Sequence, residues 1–449
     1  MSFTNLRPLQ GEGKKIFIET YGCQMNFGDS EIVVSIMQKE GYFYTEHIEE
    51  ADIILINTCS VRDNAEQRIW GRLNEMRRLR RKKPSLRVGV IGCMAERLKE
   101  ELLNSDCGVD IVAGPDTYRD LPKLCREAES GGKGINTLLS TDETYADIAP
   151  VRLDKNGVSG FISIMRGCNN FCAYCVVPYT RGRERSRSHE TIVSEARTLF
   201  ENGYREVTLL GQNVNSYADG EVNFPKLLAK VAEISPLLRV RFATSHPKDL
   251  SDELIATMAH YPNICKAIHL PAQSGSNAQL EKMNRKYTRE WYLERIAAIR
   301  KAMPECAITT DLISGFCGET LEDHEATLSL MREVGYASAF MFKYSERPDT
   351  FSARHFADDV AEEEKTRRLT EVIALQNELS LENNRRDVGK TFEVLIEGRS
   401  KRSDKQLCGR TSQNKMVVFD SIEGYGAGDY IEVEITDCSS ATLFGKAKS

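Results

Sequence analysis

Three cysteines, Cys168, Cys172 and Cys175, fall within eight residues in the run RGCNNFCAYCVVPYTRGRERSR over Arg166–Arg187. Three residues separate the first pair and two the second, and the run follows the apolar stretch 161–165, which has the composition of a buried strand. Thiolates are ligands of soft metal centres. A tetrahedral zinc site takes four ligands and usually pairs one two-residue-spaced cysteine motif with another, and the chain has no second motif of that spacing. Three thiolates on a four-iron cube leave one iron without a protein ligand, an open corner where a substrate or cofactor can bind. The bland alternative is three packed structural cysteines.

The patterning around this loop indicates what must position it. At 449 residues the chain is long enough for about three domains of roughly 150 residues. With 41% apolar and 28% charged residues it has the composition of a globular protein with several cores. The opening MSFTNLRPLQGEGKK holds no apolar signal core, and no apolar run reaches the roughly 20 residues that span a bilayer. A cytoplasmic protein with no membrane partner is expected. Thirteen cysteines without a secretory context point to reduced thiols or metal ligands rather than a disulfide framework. The net charge of −6 conceals two basic blocks: 62–87 holds ten Lys or Arg against three Asp or Glu, and Arg181–Arg187 holds four Arg against Glu184. Such blocks attract phosphate backbones, or else cover a solvated helix face.

Near the N-terminus, short apolar runs at 15–21, 52–58, 88–92 and 109–113 alternate with helix-like segments such as 30–38 and 65–79. Alternation of this kind predicts a parallel sheet with helices on both faces, and ligands gather beyond the carboxyl ends of the strands in such sheets. Cys23 follows the first run in ETYGCQMN, Cys59 the second in ILINTCSVRD and Cys93 the third in VGVIGCMAER. A parallel sheet would therefore make three distant cysteines neighbours, as a second three-thiolate site. Cys107 and Cys125 lack this placement and are expected in packing. The Gly-, Thr-, Asp- and Pro-containing stretch 131–156 reads as a linker closing a first domain over 14–130.

From Phe161, strand-like runs at 161–165, 206–210, 239–244, 266–270, 307–313 and 338–344 alternate with helical segments, which predicts a partial (β/α)6 barrel over 154–386. Polar residues gather at the carboxyl ends of those runs: Gly211, Gln212 and Asn213, then Ser245 and His246, Gln273 to Gly275, and Ser314. These ends are expected to face the cysteine loop. His246 and His269 read as hydrogen-bonded structural residues. A helix after Pro348 is expected to pack through Leu369, Val372, Ile373 and Leu379. In 388–449 four short alternating runs between turns predict a small antiparallel β-barrel. Arg399, Lys401, Arg402, Lys405, Arg410 and Lys415 crowd one part of it, a basic face suited to nucleic acid. The expected fold class is α/β multidomain: an N-terminal parallel α/β sandwich, the partial barrel and the small barrel.

The CxxxCxxC loop resembles that of the radical S-adenosylmethionine (SAM) superfamily, and the last module resembles a TRAM domain. With YGCQMN around Cys23, NTCSVRDNAE around Cys59, CVVPYTRGRERSR from Cys175 and GQNVNSY after the second barrel strand, the chain from Lys14 onward resembles the methylthiotransferases of the MiaB type, which act on tRNA. The resemblance implies two 4Fe-4S clusters per chain. Cys168, Cys172 and Cys175 would hold the one that cleaves SAM, and Cys23, Cys59 and Cys93 an auxiliary one that carries the sulfur. It implies SAM contacts from Gly211, Gln212 and Asn213, where the superfamily's usual Gly-Gly-Glu lacks its glutamate, from Ser245 and Gln273, and from Asp311 in ITTDLISGFCGET. The implied reaction replaces the hydrogen on carbon 2 of an isopentenylated adenosine beside the anticodon by a methylthio group, with one SAM as methyl donor and a second as radical source. The implied partners are a tRNA anticodon stem-loop, SAM, an electron donor and a sulfur or cluster-repair donor. Arg181, Arg183, Arg399, Lys401, Arg402 and Lys405 are the expected RNA contacts.

Other readings use the same residues. A methylthiotransferase of a ribosomal protein side chain or of threonylcarbamoyl-adenosine tRNA shares the three-part plan. A zinc-bearing RNA-binding protein would be colourless, whereas two clusters give a brown protein with about eight irons per chain.

Overall fold

A computed structural model of the chain describes residues 6–9, 11–59, 63–154 and 156–448, the side chains of 63–66 excepted. Residues 60–62 of the NTCSVRDNAE flank lie outside them. The chain forms two compact units. The first comprises the described residues up to Leu153 together with Ser163–Phe171 and Cys175–Thr191; the second comprises Asp154–Ile162, Cys172–Tyr174 and the described residues from Ile192 on.

The first unit is built on six parallel strands, β1 (Lys14–Thr20), β2 (Tyr42–Tyr44), β3 (Ile53–Thr58), β4 (Arg87–Gly92), β5 (Ile111–Ala113) and β6 (Gly134–Asn136), in the order β2-β1-β3-β4-β5-β6. In the central β3 every residue is buried. Its alternate side chains feed two cores: Ile53 and Leu55 join Ile16, Val33 and Met37, whereas Ile54 and Ile56 join Ile69, Leu73 and Met76. Both faces are thus covered by helices, as a near-continuous apolar strand requires. Asn57 is level with Thr20, and Thr58 with Gly92, so β1, β3 and β4 end side by side.

Of the stretch 131–156 read as a linker, residues 131–153 belong instead to this unit. Residues 134–136 form the edge strand β6, Tyr145, Ile148 and Val151 enter the core, and Arg152 is buried against Glu31 at 2.8 Å. Gly and Asp mark turns locally, but here the intervening aromatic and branched residues find a hydrophobic face waiting for them.

In the second unit β7 (Ser159–Ser163), β8 (Glu206–Leu210) and β9 (Arg239–Ala243) form one sheet, and β10 (Ala267–His269), β11 (Ala307–Ser314) and β12 (Ser338–Lys343) another, with β8–β9, β10–β11 and β11–β12 parallel. A single parallel bridge, Val240 with Ile264, spans the gap between β9 and the chain leading into β10. The helix Glu362–Arg385 follows. Its buried positions are Lys365, Arg368, Val372, Gln376, Ser380 and Asn384, a mainly polar stripe in place of the apolar face expected, and Ile373 is exposed. Gln376 and Asn383 donate to the Tyr336 carbonyl, and Asn384 to that of Ser439.

The chain ends in a closed five-stranded barrel, β13 (Thr391–Ser400), β14 (Ser403–Arg410), β15 (Met416–Asp420), β16 (Tyr430–Cys438) and β17 (Leu443–Ala447), around Val394, Ile396, Leu407, Phe419 and Val433. The polar β14 had no counterpart among the four expected runs. This barrel docks at the amino ends of the parallel strands. Arg239 donates to the carbonyls of Arg410 and Glu393, Arg241 to those of Thr411 and Ser412, and the Lys266 amide to Ser412 Oγ.

Candidate metal centre

The three strand ends of the first unit deliver Cys23, Cys59 and Cys93 together. The Cys23 thiol is hydrogen-bonded to the Cys59 side chain and feels the charges of both Cys93 and Arg181. Cys23 is exposed; Cys59 and Cys93 are buried. Glycine makes this approach possible at two positions. Gly22 has φ +120°, and a Cβ there would stand 2.5 Å from Cys59 Cβ; Gly92 has φ +89°, and a Cβ there would stand 2.6 Å from Asn57 Oδ1 and 2.7 Å from the Thr58 carbonyl. Asn57 is itself fixed, donating to the Asn26 carbonyl at 2.7 Å and to Ser30 Oγ at 2.9 Å.

The hydrogen bond with Cys59 holds the Cys23 thiol below its ordinary range; burial opposes this, and the Arg181 charge reinforces it. Burial pushes the Cys93 thiol up, with Arg181 pulling the other way. Thiolates placed beside a cation and at helix starts are the form that binds metal, and Cys23 caps the helix Gln24–Lys39 while Cys93 opens Cys93–Leu98. Among the described residues no three His, Cys, Asp or Glu side chains are set to hold a single metal ion. The donor set nevertheless suits a polynuclear iron–sulfur group: three thiols, a buried cation beside them, and buried Arg181 Nη1 without a hydrogen-bond partner.

Arg181 arrives from the cysteine loop. Its Nε lies 3.2 Å from Cys93 Sγ, and its Nη2 donates to Asp29 Oδ2 at 2.8 Å and Asn26 Oδ1 at 3.2 Å. Asp29 also accepts from Arg166 Nη1 at 2.8 Å, and Arg185 pairs with Asp116 at 2.8 Å. Burial opposes ionisation of Asp29, yet the Arg166 and Arg181 guanidiniums keep its carboxyl below the usual range. Arg181 is therefore not an outward RNA contact. Arg185 and Arg187 are buried too, and of the four arginines in this run Arg183 alone is exposed.

In the loop itself, Cys168 donates its amide to the Gly182 carbonyl at 3.2 Å. Cys172 and its neighbours pack with the second unit: Arg285 Nη1 lies 3.1 Å from Cys172 Sγ, Ala173 bonds to Met283, and Tyr174 meets Phe316 edge-on. Cys168 and Cys172 are buried, Cys175 half-buried.

The expected cofactor residues of the second unit divide into two groups. Asn213 is committed inside the fold: its Nδ2 donates to Asp249 at 2.7 Å and to Ser216, and its Oδ1 accepts from the His246 amide. Gly211 pairs in the backbone with Ala243, Ser245 Oγ donates to Asn215, Gln273 bonds through its backbone to Asp311 and Ile313, and Asp311 lies 3.4 Å from His269 Nε2. Beside them Gln212 Oε1, Asn215 Nδ2 and His246 Nε2 are buried with no partner. Three orphaned polar atoms beyond β8 and β9 fit a polar cofactor that would satisfy them. Burial, with Arg285 and Lys248 nearby, drives the His246 pKa down to about 2, so the ring is neutral. Asn215 and the Asp29 and Asp116 pairs had no sequence signal; Arg285, which from sequence could equally have met a substrate phosphate, instead lies buried against Cys172.

In the small barrel Arg399, Lys401, Arg402 and Lys405 are exposed on the β13–β14 hairpin. Arg410 and Lys415 leave that basic group, paired to Glu397 and Asp387. In the N-terminal block Arg72, Arg80 and Lys83 are paired to Glu19, Asp110 and Asp52, while Arg77, Arg78, Arg81 and Lys82 are exposed. Among the described residues no helix is long and apolar enough to cross a membrane.

The class is that of a radical SAM enzyme, because the match to that superfamily takes in both the three-cysteine loop and the parallel strands β8 to β11 of the second unit. Three family descriptions match in series: the uncharacterized protein family UPF0004 over 15–114, the radical SAM superfamily over 162–331 and the TRAM domain over 385–448. Among solved structures the chain is similar to the radical SAM methyltransferase TsrM from Kitasatospora setae (TM-score 0.56, 14% identity, 76% of this chain and 75% of that one). It is also similar to the cobalamin-dependent radical enzyme OxsB (TM-score 0.51, 14% identity, 81% and 56%). At such identities the likeness concerns fold alone. Curated relatives are far nearer. Proteins of Parabacteroides distasonis (62% identity over 97% of this chain and 96% of the relative), Porphyromonas gingivalis (61%, 96% and 95%) and Bacteroides thetaiotaomicron (58%, 97% and 96%) carry the name tRNA-2-methylthio-N(6)-dimethylallyladenosine synthase. The chain belongs to that family.

Proposed function

We propose that the protein transfers a methylthio group to carbon 2 of N6-isopentenyladenosine next to the anticodon of tRNA. The convergence of Cys23, Cys59 and Cys93 at three strand ends carries this reading, because a second sulfur-rich site is what separates sulfur insertion from other SAM radical chemistry. Relatives at about 60% identity over nearly the whole chain support the substrate.

In this reading Cys168, Cys172 and Cys175 hold one 4Fe-4S cluster and Cys23, Cys59 and Cys93 an auxiliary one. When bound, the first with SAM supplies a radical able to remove hydrogen from a ring carbon that is neither acidic nor nucleophilic, and the second supplies the sulfur. The chain's own residues bind and orient. Gln212, Asn215 and neutral His246 offer SAM buried polar atoms, Gly211, Ser245, Gln273 and Asp311 line the same strand ends, and Arg285 orients Cys172. Arg183 and the hairpin cations Arg399, Lys401, Arg402 and Lys405 hold RNA phosphates, which also suits a cytoplasmic address. An electron donor and a sulfur or cluster-repair donor complete the partners.

Two measurements test it. Anaerobically reconstituted protein should hold about eight irons, falling to about four when either cysteine trio is replaced by alanine. Nucleoside mass spectrometry should show loss of the methylthio group from isopentenyladenosine in cells lacking the protein. Unchanged tRNA with a ribosomal protein lacking the mark would instead select the protein-modifying branch.

A further inference from the structure

We propose that Arg181 is a positioning residue of the auxiliary cluster, donating to the Cys93 thiolate and thereby setting that cluster's reduction potential. The inference rests on the assignment of Cys23, Cys59 and Cys93 as cluster ligands.

Arg181 is anchored at two points, its guanidinium through Nη2 and its backbone through the amide. Asp29 fixes Nη2 at 2.8 Å, Asn26 fixes it again at 3.2 Å, and the backbone amide of Arg181 bonds to Val177 at 2.8 Å. Asp29 cannot swing, because Arg166 grips its other oxygen at 2.8 Å. With that fork locked, Nε points its hydrogen at Cys93 Sγ, 3.2 Å away. The contact itself is enclosed: Arg181, Asp29 and Cys93 are all buried. A hydrogen bond to a ligand sulfur and a nearby positive charge both favour the reduced, more negative cluster, and burial of the contact strengthens both. Asp29 already has Arg166 as a partner, so neutralising Asp29 does not by itself require a second arginine whose other edge meets a thiol.

The placement also links the two cysteine sites along the chain. Arg181 lies six residues after Cys175, so one short segment supplies a ligand to one trio and a donor to the other. Lysine could neutralise Asp29 but, as a single ammonium, could not present the same two-edged fork.

The test uses the full chain with Cys168, Cys172 and Cys175 replaced by alanine, leaving only the auxiliary cluster, titrated with dithionite and followed by electron paramagnetic resonance. If this parent holds no iron, the cluster assignment itself fails. If it holds about four irons, Arg181→Gln should lower the potential so that at the parent's midpoint the oxidised form exceeds the reduced by about tenfold, a shift of about 59 mV for a one-electron couple. Arg181→Lys, which keeps a charge for Asp29, should shift in the same direction by less and serves if the glutamine variant does not fold. Arg185→Lys, which perturbs the buried pair with Asp116 without touching a cysteine, should leave the potential in place. An unmoved potential in both Arg181 variants, an equal shift in Arg185→Lys, or failure of both Arg181 variants to hold iron overturns the inference. The last outcome would make Arg181 a structural requirement rather than a regulator of potential.

Discussion

Replacing Gly92 by alanine puts a methyl group where the fold has no room. Gly92 adopts φ 89° and ψ −154°, a region of backbone space that is essentially glycine's alone, and forcing another residue into it costs about 1–3 kcal/mol. The new Cβ would also stand 2.6 Å from Asn57 Oδ1 and 2.7 Å from the Thr58 carbonyl. Neither oxygen can retreat at low cost. Asn57 is tied by two donated hydrogen bonds, and Thr58 lies at the end of the β3–β4 ladder. Overpacking of this kind costs about 1–3 kcal/mol more, for a total of about 2–6 kcal/mol against a domain stability of about 5–15 kcal/mol. The strain is relieved most readily by moving the next residue, Cys93. Iron and sulfide should therefore be measured on chains lacking the other cysteine trio, where Gly92→Ala should retain less than half the parent's load. Gly41→Ala is the control, since Gly41 also has positive φ (+83°) but a Cβ there meets nothing within 4 Å. Equal iron in the two variants would refute the argument that Gly92 positions Cys93.

Asp29→Ala should destabilise the first unit by about 3–5 kcal/mol, the cost of leaving buried Arg166 and Arg181 short of their shared carboxylate, read as an earlier urea transition; an unchanged midpoint contradicts the buried network. Because the folded-state pKa of Asp29 is depressed, its contribution is present above the unfolded carboxyl value of about 3.9 and disappears as pH falls through the lower folded value. His246 acts in the same direction at higher pH. It stays neutral down to about 2 in the fold but takes a proton near 6.5 when unfolded, so stability falls as pH drops below about 6.5, and His246→Asn should flatten that slope. Replacing Arg399, Lys401, Arg402 and Lys405 together by serine should reduce the slope of log affinity for tRNA against log salt by about 3, from roughly 0.7–0.9 per phosphate contact. An unaltered slope would remove the hairpin from the RNA interface.

The architecture was legible where side-chain pattern and secondary structure share a period. β3 announces itself as ILINT, and the cysteines that follow β1, β3 and β4 could be placed beside one another once those strands were read as parallel. Arg181 was not legible. A charge in RGRERSR looks like surface, and its burial is decided by Asp29, more than 150 residues earlier in the chain. Asn213 looked like a cofactor contact because polar strand ends commonly are; its amide is instead consumed by Asp249 and the His246 amide. The helix Glu362–Arg385 misled for a related reason. A search for apolar periodicity is blind to a stripe of Gln376, Ser380 and Asn384 that packs by donating to carbonyls. β14, with the sequence SDKQLCGR, was invisible because barrel closure, not hydrophobic alternation, makes it a strand.

The seam beneath the parallel strands has a consequence for how the terminal barrel can change. Arg239 and Arg241 take hold of it through carbonyls of Glu393, Arg410, Thr411 and Ser412, and every residue type offers that atom. The residues that supply those carbonyls can thus be exchanged with little loss of these bonds, whereas the two arginines cannot, nor can Tyr430, whose hydroxyl donates to the carbonyls of Arg205 and Leu237. Selection can reshape the exposed β13–β14 hairpin while the module stays moored.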